Sequence, residues 1–264
     1  ELFDSVDALA GPANRHGRIA ADVIAGRDSR FRGTQGTSIC GLFGAAVAWT
    51  GVSEKTLKRI GDTDYEKTYL YPNSHAGYYP GARMIGFKVI YRKSDGRVLG
   101  GQALSHDAPS VDKRISSLAM AIQMGATIDD LAESELCYAP QFGSAKDPLN
   151  FAGMVGRDIQ DGDMPIVHWD SRPEGVLLDV REPVELALES VPGSINIPIG
   201  QLRGRLEELP KDKQIHVICR SGQRAYYVTR MLLQNGFDAR VLSGGMLSRA
   251  ILCPNDMGLE NAIV

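Results

Sequence analysis

The fold of the C-terminal half is decided by the stretch Ile215-His216-Val217-Ile218-Cys219-Arg220-Ser221-Gly222-Gln223-Arg224. Its mostly apolar beginning predicts a strand that ends at Cys219, and a helical pattern begins near Gln223. A strand, turn and helix in this order direct several backbone N–H groups at one point, and the positive end of the helix dipole adds to them. A thiolate at Cys219 would be stabilised there. The stretch therefore predicts a nucleophilic sulfur, or an anion held next to one.

The spacing between the cysteine and the second arginine helps to distinguish sulfur transfer from phosphoryl transfer. Four residues separate Cys219 from Arg224. The loops of cysteine phosphatases have one residue more, because a tetrahedral phosphate must fit between the thiolate and the ring of amides. The shorter loop suits a persulfide sulfur on the cysteine. Sulfur transfer is therefore favoured, and loop length disfavours the alternative of phosphatase or arsenate reductase chemistry.

Strand and helix patterns alternate on both sides of the Cys219 loop. Such alternation predicts an α/β domain with parallel strands and right-handed crossovers. The strands are predicted at residues 165–169, 176–180, 214–218 and 239–242, and the helices at 183–188 and 223–235. Ligand sites of such sheets lie beyond the carboxyl ends of the strands. Asp179 and Cys219 both fall there, so fold and motif predict one pocket.

Several motifs of residues 165–264 together resemble those of a rhodanese domain. The matching pieces are residues 177–182, residues 191–198, the Cys219 loop and the pair Gly244-Gly245. Rhodaneses usually have a histidine before the Pro-Gly turn, where this chain has Ser190. That histidine supports the turn and does not react, so the resemblance stands.

The resemblance to rhodaneses implies a role for each residue of the pocket. Cys219 would carry sulfane sulfur as a persulfide. The amides of the loop would cradle this sulfur; the loop consists of Arg220, Ser221, Gly222, Gln223 and Arg224. Asp179 and Arg181 would buttress the loop from the neighbouring strand end.

Residues 33–153 predict a separate α+β domain, an antiparallel sheet backed by helices. Residues 37–49 form a long apolar segment that predicts one twisted strand. Two later strand patterns flank the turn signal Lys93-Ser94-Asp95-Gly96, which is typical of a hairpin. Residues 110–124 have the period of an amphipathic helix. A polar, glycine-bearing linker is expected at residues 154–164.

The same region resembles the dimerisation domain of the pyridine nucleotide-disulfide oxidoreductases, in the coenzyme A-disulfide reductase branch. Residues 74–81 and 138–148 carry the likeness. It implies a homodimer in which Tyr138 and a tyrosine of the first segment reach the partner's thiol site. Tyr79 is the favoured match, and Tyr78 stays open. A phenol there could donate a proton to a leaving thiolate; alternatively, these tyrosines only fill the sheet.

Residues 1–32 are expected to be the remnant of a flavin-binding domain. Residues 11–26 predict one helix, with Pro12 in its first turn and a glycine at its end. By resemblance, this is the last flavin-domain helix of the same reductases, and Pro12 and Ala13 would lie at the flavin. No Gly-x-Gly-x-x-Gly fingerprint occurs in the chain. We therefore expect a truncated chain, which binds neither FAD nor NAD(P)H alone, although the full-length protein would use both.

Composition excludes several other function classes. The formal net charge of −3 gives no general attraction to nucleic acid or to anionic membranes. No apolar run is long enough to span a bilayer. The four cysteines (Cys40, Cys137, Cys219 and Cys253) have no metal-ligand or disulfide-framework spacing, so we expect no metal and a cytoplasmic, reducing location. Cys40 and Cys137 are expected to serve packing.

These inferences lead to one leading functional hypothesis. The chain would be the C-terminal portion of an FAD-dependent coenzyme A-disulfide or persulfide reductase. Its rhodanese domain would load Cys219 from coenzyme A persulfide or thiosulfate and pass sulfur to the flavin-side thiol site. Reductase activity is not expected from this chain alone. The alternative is a non-catalytic module that serves only docking or dimerisation.

Overall fold

The computed structural model describes residues 9–253, which form an N-terminal helix and two domains. Helix α1 spans Ala10–Ile24. In the first domain, five strands form an antiparallel sheet in the order β1-β2-β5-β4-β3. Its elements are β1 (Ser38–Leu42), β2 (Ala45–Gly51), α2 (Glu54–Ile60), β3 (Tyr65–Leu70), β4 (Gly86–Arg92), β5 (Val98–Ser105), α3 (Ala108–Met124), α4 (Ile128–Glu133) and α5 (Pro148–Gln160).

The second domain has a five-stranded sheet in the order β6-β10-β9-β7-β8, with every pairing parallel. Its elements are β6 (Ile166–Val167), β7 (Val176–Asp179), α6 (Pro183–Leu188), β8 (Ile195–Asn196), β9 (Ile215–Ile218), α7 (Gln223–Gln234), β10 (Ala239–Leu242) and α8 (Gly245–Leu252). The α+β domain followed by a parallel α/β domain confirms the predicted fold class. The loops after β7 and β9 lie side by side, which places Asp179 and Cys219 at one edge.

Each domain has its own apolar core. In the first domain, α3 places Val111, Ile115 and Leu118 on the sheet, and all three are buried. In the second, β9 is buried along its whole length between helices and turns. The 3.6-residue spacing on α3 and the mostly apolar, fully buried β9 are the patterns expected for a sheet-packed helix and a central parallel strand.

The first apolar segment is a hairpin and not the single strand predicted for residues 37–49. β1 and β2 pair antiparallel from Ser38↔Trp49 to Leu42↔Ala45. The turn between them consists of Phe43 (φ 48°) and Gly44 (φ 79°). Two successive residues at positive φ make the tight turn that matches strand twist. The turn escaped prediction because an apolar Phe occupies the position where Asn or Asp is usual.

The predicted linker at residues 154–164 is wrong for most of its length, because α5 runs through it to Gln160. Its glycines allow close packing, since a Cβ on Gly153 would lie 2.3 Å from the backbone nitrogen of Ala132. Leu149 and Ala152 of α5 are buried in the first core. Val155 and Ile159 pack against the second. The helix therefore joins the two cores and leaves only a short connection before β6.

Side chains also tie the two domains together directly. His168 Nε2 lies 2.9 Å from Glu66 Oε1, and Lys67 Nζ lies 3.4 Å from Asp170 Oδ2. Glu66 and Lys67 belong to β3, whereas His168 and Asp170 follow β6. The edge strand β3 is thus covered by the second domain, which fixes the relative placement of the two sheets.

Gly153→Ala should destabilise the protein by about 1–3 kcal/mol, because the added methyl group would overlap backbone atoms of α4. Gly17→Ala in α1 is the control: a Cβ at this position would have nothing within 4 Å, so replacing a mid-helix glycine should be neutral or stabilising. Urea unfolding measures both. Equal stability of the Gly153→Ala variant and the wild type would contradict the close packing of α4 and α5.

Candidate active site around Cys219

Cys219 begins the loop between β9 and α7, and its sulfur is buried in that loop. The residue is 1 % exposed. The backbone N–H of Gly222 donates to its Sγ at 3.1 Å. Gly222 precedes α7 as its N-cap and has φ 103°, a conformation that favours glycine. The loop therefore places one amide at the sulfur, next to the N-terminus of a twelve-residue helix, where the sequence predicted several amides.

The turn Gly244-Gly245 closes the loop from the other side. The N–H of Met246 donates to the carbonyl of Cys219 at 3.0 Å, and that of Leu247 to the carbonyl of Arg220 at 3.1 Å. A Cβ on Gly245 would lie 2.2 Å from the Cys219 oxygen. Both glycines also have positive φ, 71° and 57°. Only glycine allows α8 to approach the cysteine peptide this closely.

Arg224 binds a carboxylate next to the loop. Its two terminal nitrogens donate to Glu185 Oε2 and Oε1 at 2.6 and 2.7 Å, a bidentate pair. This hydrogen bond raises the pKa of Arg224, and the charge of Cys219 adds a smaller contribution in the same direction. Arg224 therefore lies within electrostatic reach of the sulfur while Glu185 holds its guanidinium. Glu185 was not predicted as part of the site.

Asp179 and Arg181 form a buried ion pair at the end of β7. Arg181 donates from Nη2 to Asp179 Oδ2 at 2.7 Å and to the carbonyl of Glu189 at 2.9 Å. The backbone N–H of Arg181 also donates to Asp179 Oδ1 at 3.0 Å. Through Arg181 the pair binds the C-terminal end of α6, the helix that carries Glu185. It thus supports the loop through α6 and Arg224.

The other loop side chains point to different surroundings. Arg220 is exposed, and the described part of the chain offers it no ion-pair partner. Gln223 donates from Nε2 to the hydroxyl of Tyr227 at 3.1 Å. Ser221 is half-buried. Arg220 is therefore the cation of the loop that is available to an incoming anion.

The two predicted tyrosine segments of the first domain lie together, with Tyr78 rather than Tyr79 next to Tyr138. The hydroxyls of Tyr78 and Tyr138 are 3.3 Å apart. This hydrogen bond raises the pKa of Tyr138. Tyr79 packs its ring on His75, with centroids 5.7 Å apart. Tyr78 and Tyr138 are both exposed, so they do not fill the sheet.

A buried arginine on α3 holds the two tyrosine segments together. Arg114 is 1 % exposed and donates from Nη2 to the Ser74 carbonyl and to Asp147 Oδ2, each at 2.9 Å. The N–H of Ala76 donates across to the carbonyl of Gly143 at 2.9 Å. Sequence reasoning missed Arg114. The sequence does place this arginine among the apolar residues of an amphipathic helix face, which could have indicated that it is buried and paired.

Pro12 and Ala13 lie in the first turn of α1, as predicted. Pro12 is buried and has no N–H, and the N–H of Ala13 donates to the Leu9 carbonyl at 3.1 Å. Leu9 is the N-cap and supplies no side-chain cap. Neither residue therefore offers a free backbone N–H at the start of α1.

The remaining cysteines differ from the packing role that was expected. Cys40 and Cys137 are exposed. Cys40 lies on β1, which turns most of its side chains away from the core, and Cys137 lies between α4 and α5. Within residues 9–253, no group of His, Cys, Asp or Glu side chains is arranged to hold a metal ion. No helix in that range is long and apolar enough to cross a membrane.

Comparison with known families accounts for both domains. Residues 37–148 match the pyridine nucleotide-disulphide oxidoreductase dimerisation domain, and residues 168–248 match the rhodanese-like domain. The chain combines these two domains. The first domain is hereafter the dimerisation domain, and the second the rhodanese domain.

Relatives share one or both domains. The coenzyme A disulfide reductase of Staphylococcus aureus strain bovine RF122 / ET3-1 is 36% identical over 146 residues, which are 55% of this chain and 32% of that protein. The crystal structure of reduced Bacillus anthracis CoADR-RHD is 43% identical with a TM-score of 0.92, covering 96% of this chain and 46% of that one.

A third relative is named for its action on a persulfide. The NAD-dependent persulfide reductase of A. fulgidus is 36% identical with a TM-score of 0.84, covering 92% of this chain and 45% of that one. The chain thus spans less than half the length of these two structures and about a third of the curated relative. The comparison therefore shows a dimerisation domain followed by a rhodanese-like domain, the combination that covers 96% of this chain in the Bacillus anthracis structure.

Glu185→Gln should destabilise the rhodanese domain by about 1 kcal/mol at pH 7, because it breaks the bidentate pair with Arg224. The hydrogen bond to Arg224 lowers the pKa of Glu185 from 4.5 to about 2. Its stabilisation is therefore complete above pH 4.5 and is lost as the pH falls towards 2.

Urea unfolding at pH 7 and pH 3 measures this difference, which should be smaller at pH 3. Glu174→Gln is the control, because Glu174 forms no salt bridge among the described residues. An equal effect of Glu185→Gln at both pH values would contradict the assigned pair.

Proposed function

We propose that Cys219 carries sulfane sulfur as a persulfide, in the rhodanese domain of a flavin-dependent coenzyme A-disulfide or persulfide reductase. The observation that carries the proposal is the loop itself, in which the Gly222 amide and the N-terminus of α7 converge on a buried sulfur. Phosphatase or arsenate reductase chemistry would require a wider loop. A docking role would not require an amide directed at the sulfur or an available Arg220.

Sulfur loading is a displacement at the donor's outer sulfur. The Cys219 thiolate attacks that atom and forms a sulfur–sulfur bond, while the bond inside the donor breaks. Coenzyme A persulfide would leave as coenzyme A thiolate, and thiosulfate as sulfite. The terminal sulfur of the new persulfide is an anion, which backbone amides and Arg220 can stabilise. No electrons enter or leave in this step.

Reduction belongs to the whole protein. There, NAD(P)H and FAD would supply the two electrons that cleave a persulfide sulfur–sulfur bond and, with protons, give a thiol and hydrogen sulfide. In this chain, α1 would present its N-terminal dipole to the flavin through Pro12 and Ala13. Tyr138, hydrogen-bonded to Tyr78, would donate the proton that the leaving thiolate takes up.

A homodimer would bring these tyrosines to the partner's thiol site. The domain family implies such pairing. The dimerisation domain exposes large apolar side chains on and beside its first hairpin, which supports it: Ile39, Leu42, Phe43 and Trp49. The proposed substrates are small thiols and persulfides, and the assignment of coenzyme A persulfide rests on likeness to the named relatives.

Cys219→Ser should lower thiosulfate:cyanide sulfurtransferase activity by at least about a hundredfold, because the serine hydroxyl cannot accept sulfur. Cys40→Ser and Cys137→Ser are matched controls, since both cysteines are exposed and lie outside the loop. Thiocyanate formation is the measurement. Full activity of the Cys219→Ser variant would refute the site.

Tyr138→Phe and Tyr78→Phe in the full-length dimer should each slow coenzyme A persulfide reduction by roughly tenfold or more, because they remove the proton donor or its partner. Sulfur loading of Cys219 in the same variants is the internal control and should be unchanged. The rate of coenzyme A persulfide reduction is measured as NAD(P)H oxidation. If Tyr79→Phe slows the reaction and Tyr78→Phe does not, the choice of Tyr78 is wrong.

A further inference from the structure

Two tyrosines of the dimerisation domain reach the N-terminus of α8 in the rhodanese domain. The hydroxyl of Tyr71, the residue after β3, lies 2.9 Å from Ser248 Oγ. A Cβ on Gly244 would lie 2.8 Å from the Cβ of Tyr69. The dimerisation domain therefore contacts the turn that closes the Cys219 loop.

The Tyr71–Ser248 hydrogen bond is partly shielded from water: Tyr71 is half-buried, and Ser248 is fully buried. Ser248 is 1 % exposed, and burial raises the pKa of Tyr71. The phenol is therefore neutral at physiological pH and can either donate to or accept from the serine hydroxyl. A buried hydroxyl that loses such a partner is costly, because water does not replace it. Loss of this hydrogen bond should therefore destabilise the contact between the two domains.

Helix α8 transmits this contact to the cysteine peptide. Ser248 lies on the first turns of α8, directly after the two residues whose amides bind the loop. Those amides, of Met246 and Leu247, donate to the carbonyls of Cys219 and Arg220. A shift of α8 would therefore move the cysteine peptide and with it the geometry between Sγ and the Gly222 amide.

Trp169, which follows β6 of the rhodanese domain, holds the same turn from another direction. Trp169 donates from its indole Nε1 to the carbonyl of Gly245 at 2.9 Å. The guanidinium of Arg249 lies over the Trp169 ring, 5.8 Å from its centroid. Positions 244–249 thus receive contacts from the dimerisation domain and from Trp169 of the rhodanese domain, whereas the opposite side of the turn binds the Cys219 loop.

We propose that Tyr71 is a positioning residue for the Cys219 sulfur, so that sulfur transfer in the rhodanese domain depends on the dimerisation domain. The inference rests on the proposed sulfur transfer for its consequence, and on the chain of contacts from Tyr71 through Ser248 and α8 for its structural part. Tyr71 acts through α8 and touches no reacting atom.

The test compares Tyr71→Phe with Tyr91→Phe in the full chain. Tyr91 is the matched control, because it is a buried tyrosine of the same domain whose hydroxyl donates to the Gly156 carbonyl, away from α8. In Tyr71→Phe, hydrogen exchange in residues 219–224 should be about three- to tenfold faster, as expected for one lost hydrogen bond. Sulfur transfer from thiosulfate should be slower by a similar factor.

Ser248→Ala is the second variant, which keeps the proposal testable if Tyr71→Phe does not fold. It should reproduce both effects, and the double variant should be no worse than either single one, because both changes remove the same hydrogen bond. Unchanged loop exchange in Tyr71→Phe would overturn the proposal. Equal effects of Tyr71→Phe and Tyr91→Phe would also overturn it, since they would report general destabilisation.

Hydrogen exchange separates this inference from the proposed function. It follows the position of the loop and requires no sulfur chemistry. If the wild type transfers no sulfur while exchange in residues 219–224 still depends on Tyr71, the proposed function fails and the structural coupling holds. If the wild type transfers sulfur and Tyr71→Phe changes neither quantity, the coupling fails and the proposed function holds.

Discussion

The candidate site depends on the hydrogen bond from the Met246 amide to the Cys219 carbonyl. This bond requires α8 to approach the cysteine loop more closely than any side chain at Gly245 would permit. With the peptide held from that side, the Gly222 amide can remain directed at the sulfur. The surroundings of the Cys219 sulfur are therefore set by two loops and the helices behind them, and not by the cysteine alone.

The two domains contribute differently to this arrangement. The rhodanese domain supplies the strand ends and helix N-termini that a parallel sheet places at one edge. The dimerisation domain contributes the edge strand β3, which the rhodanese domain covers. Helix α5 packs against the cores of both domains. Cys219, fixed in this way to the dimerisation domain, has a defined position relative to the tyrosine pair, as the proposed transfer between two sites requires.

Sequence patterns predicted most of the rhodanese domain because its strands are short apolar runs with clear turn signals, as at residues 215–222. The patterns failed where a residue is unusual for the structure that it forms. Phe43 occupies a turn position that usually carries a polar residue. Gly153 and Gly156 are typical of a linker in the sequence, but in the structure they allow α5 to pack closely on α4. The pairing of Arg224 with Glu185 could not be predicted, because it joins side chains 39 residues apart in sequence. For the same reason the sequence favoured Tyr79 and left Tyr78 open, whereas Tyr78 is the tyrosine that lies next to Tyr138.

The central claim, that Cys219 is the residue to which sulfur is transferred, is tested most directly by locating the sulfur. The full chain would be incubated with a donor whose outer sulfur is isotopically labelled, and the peptides would then be separated by mass spectrometry without reducing agents. We predict one labelled sulfur atom on the peptide that contains Cys219. Label on the Cys40 or Cys137 peptides with none on Cys219, or no label at all, would contradict the account.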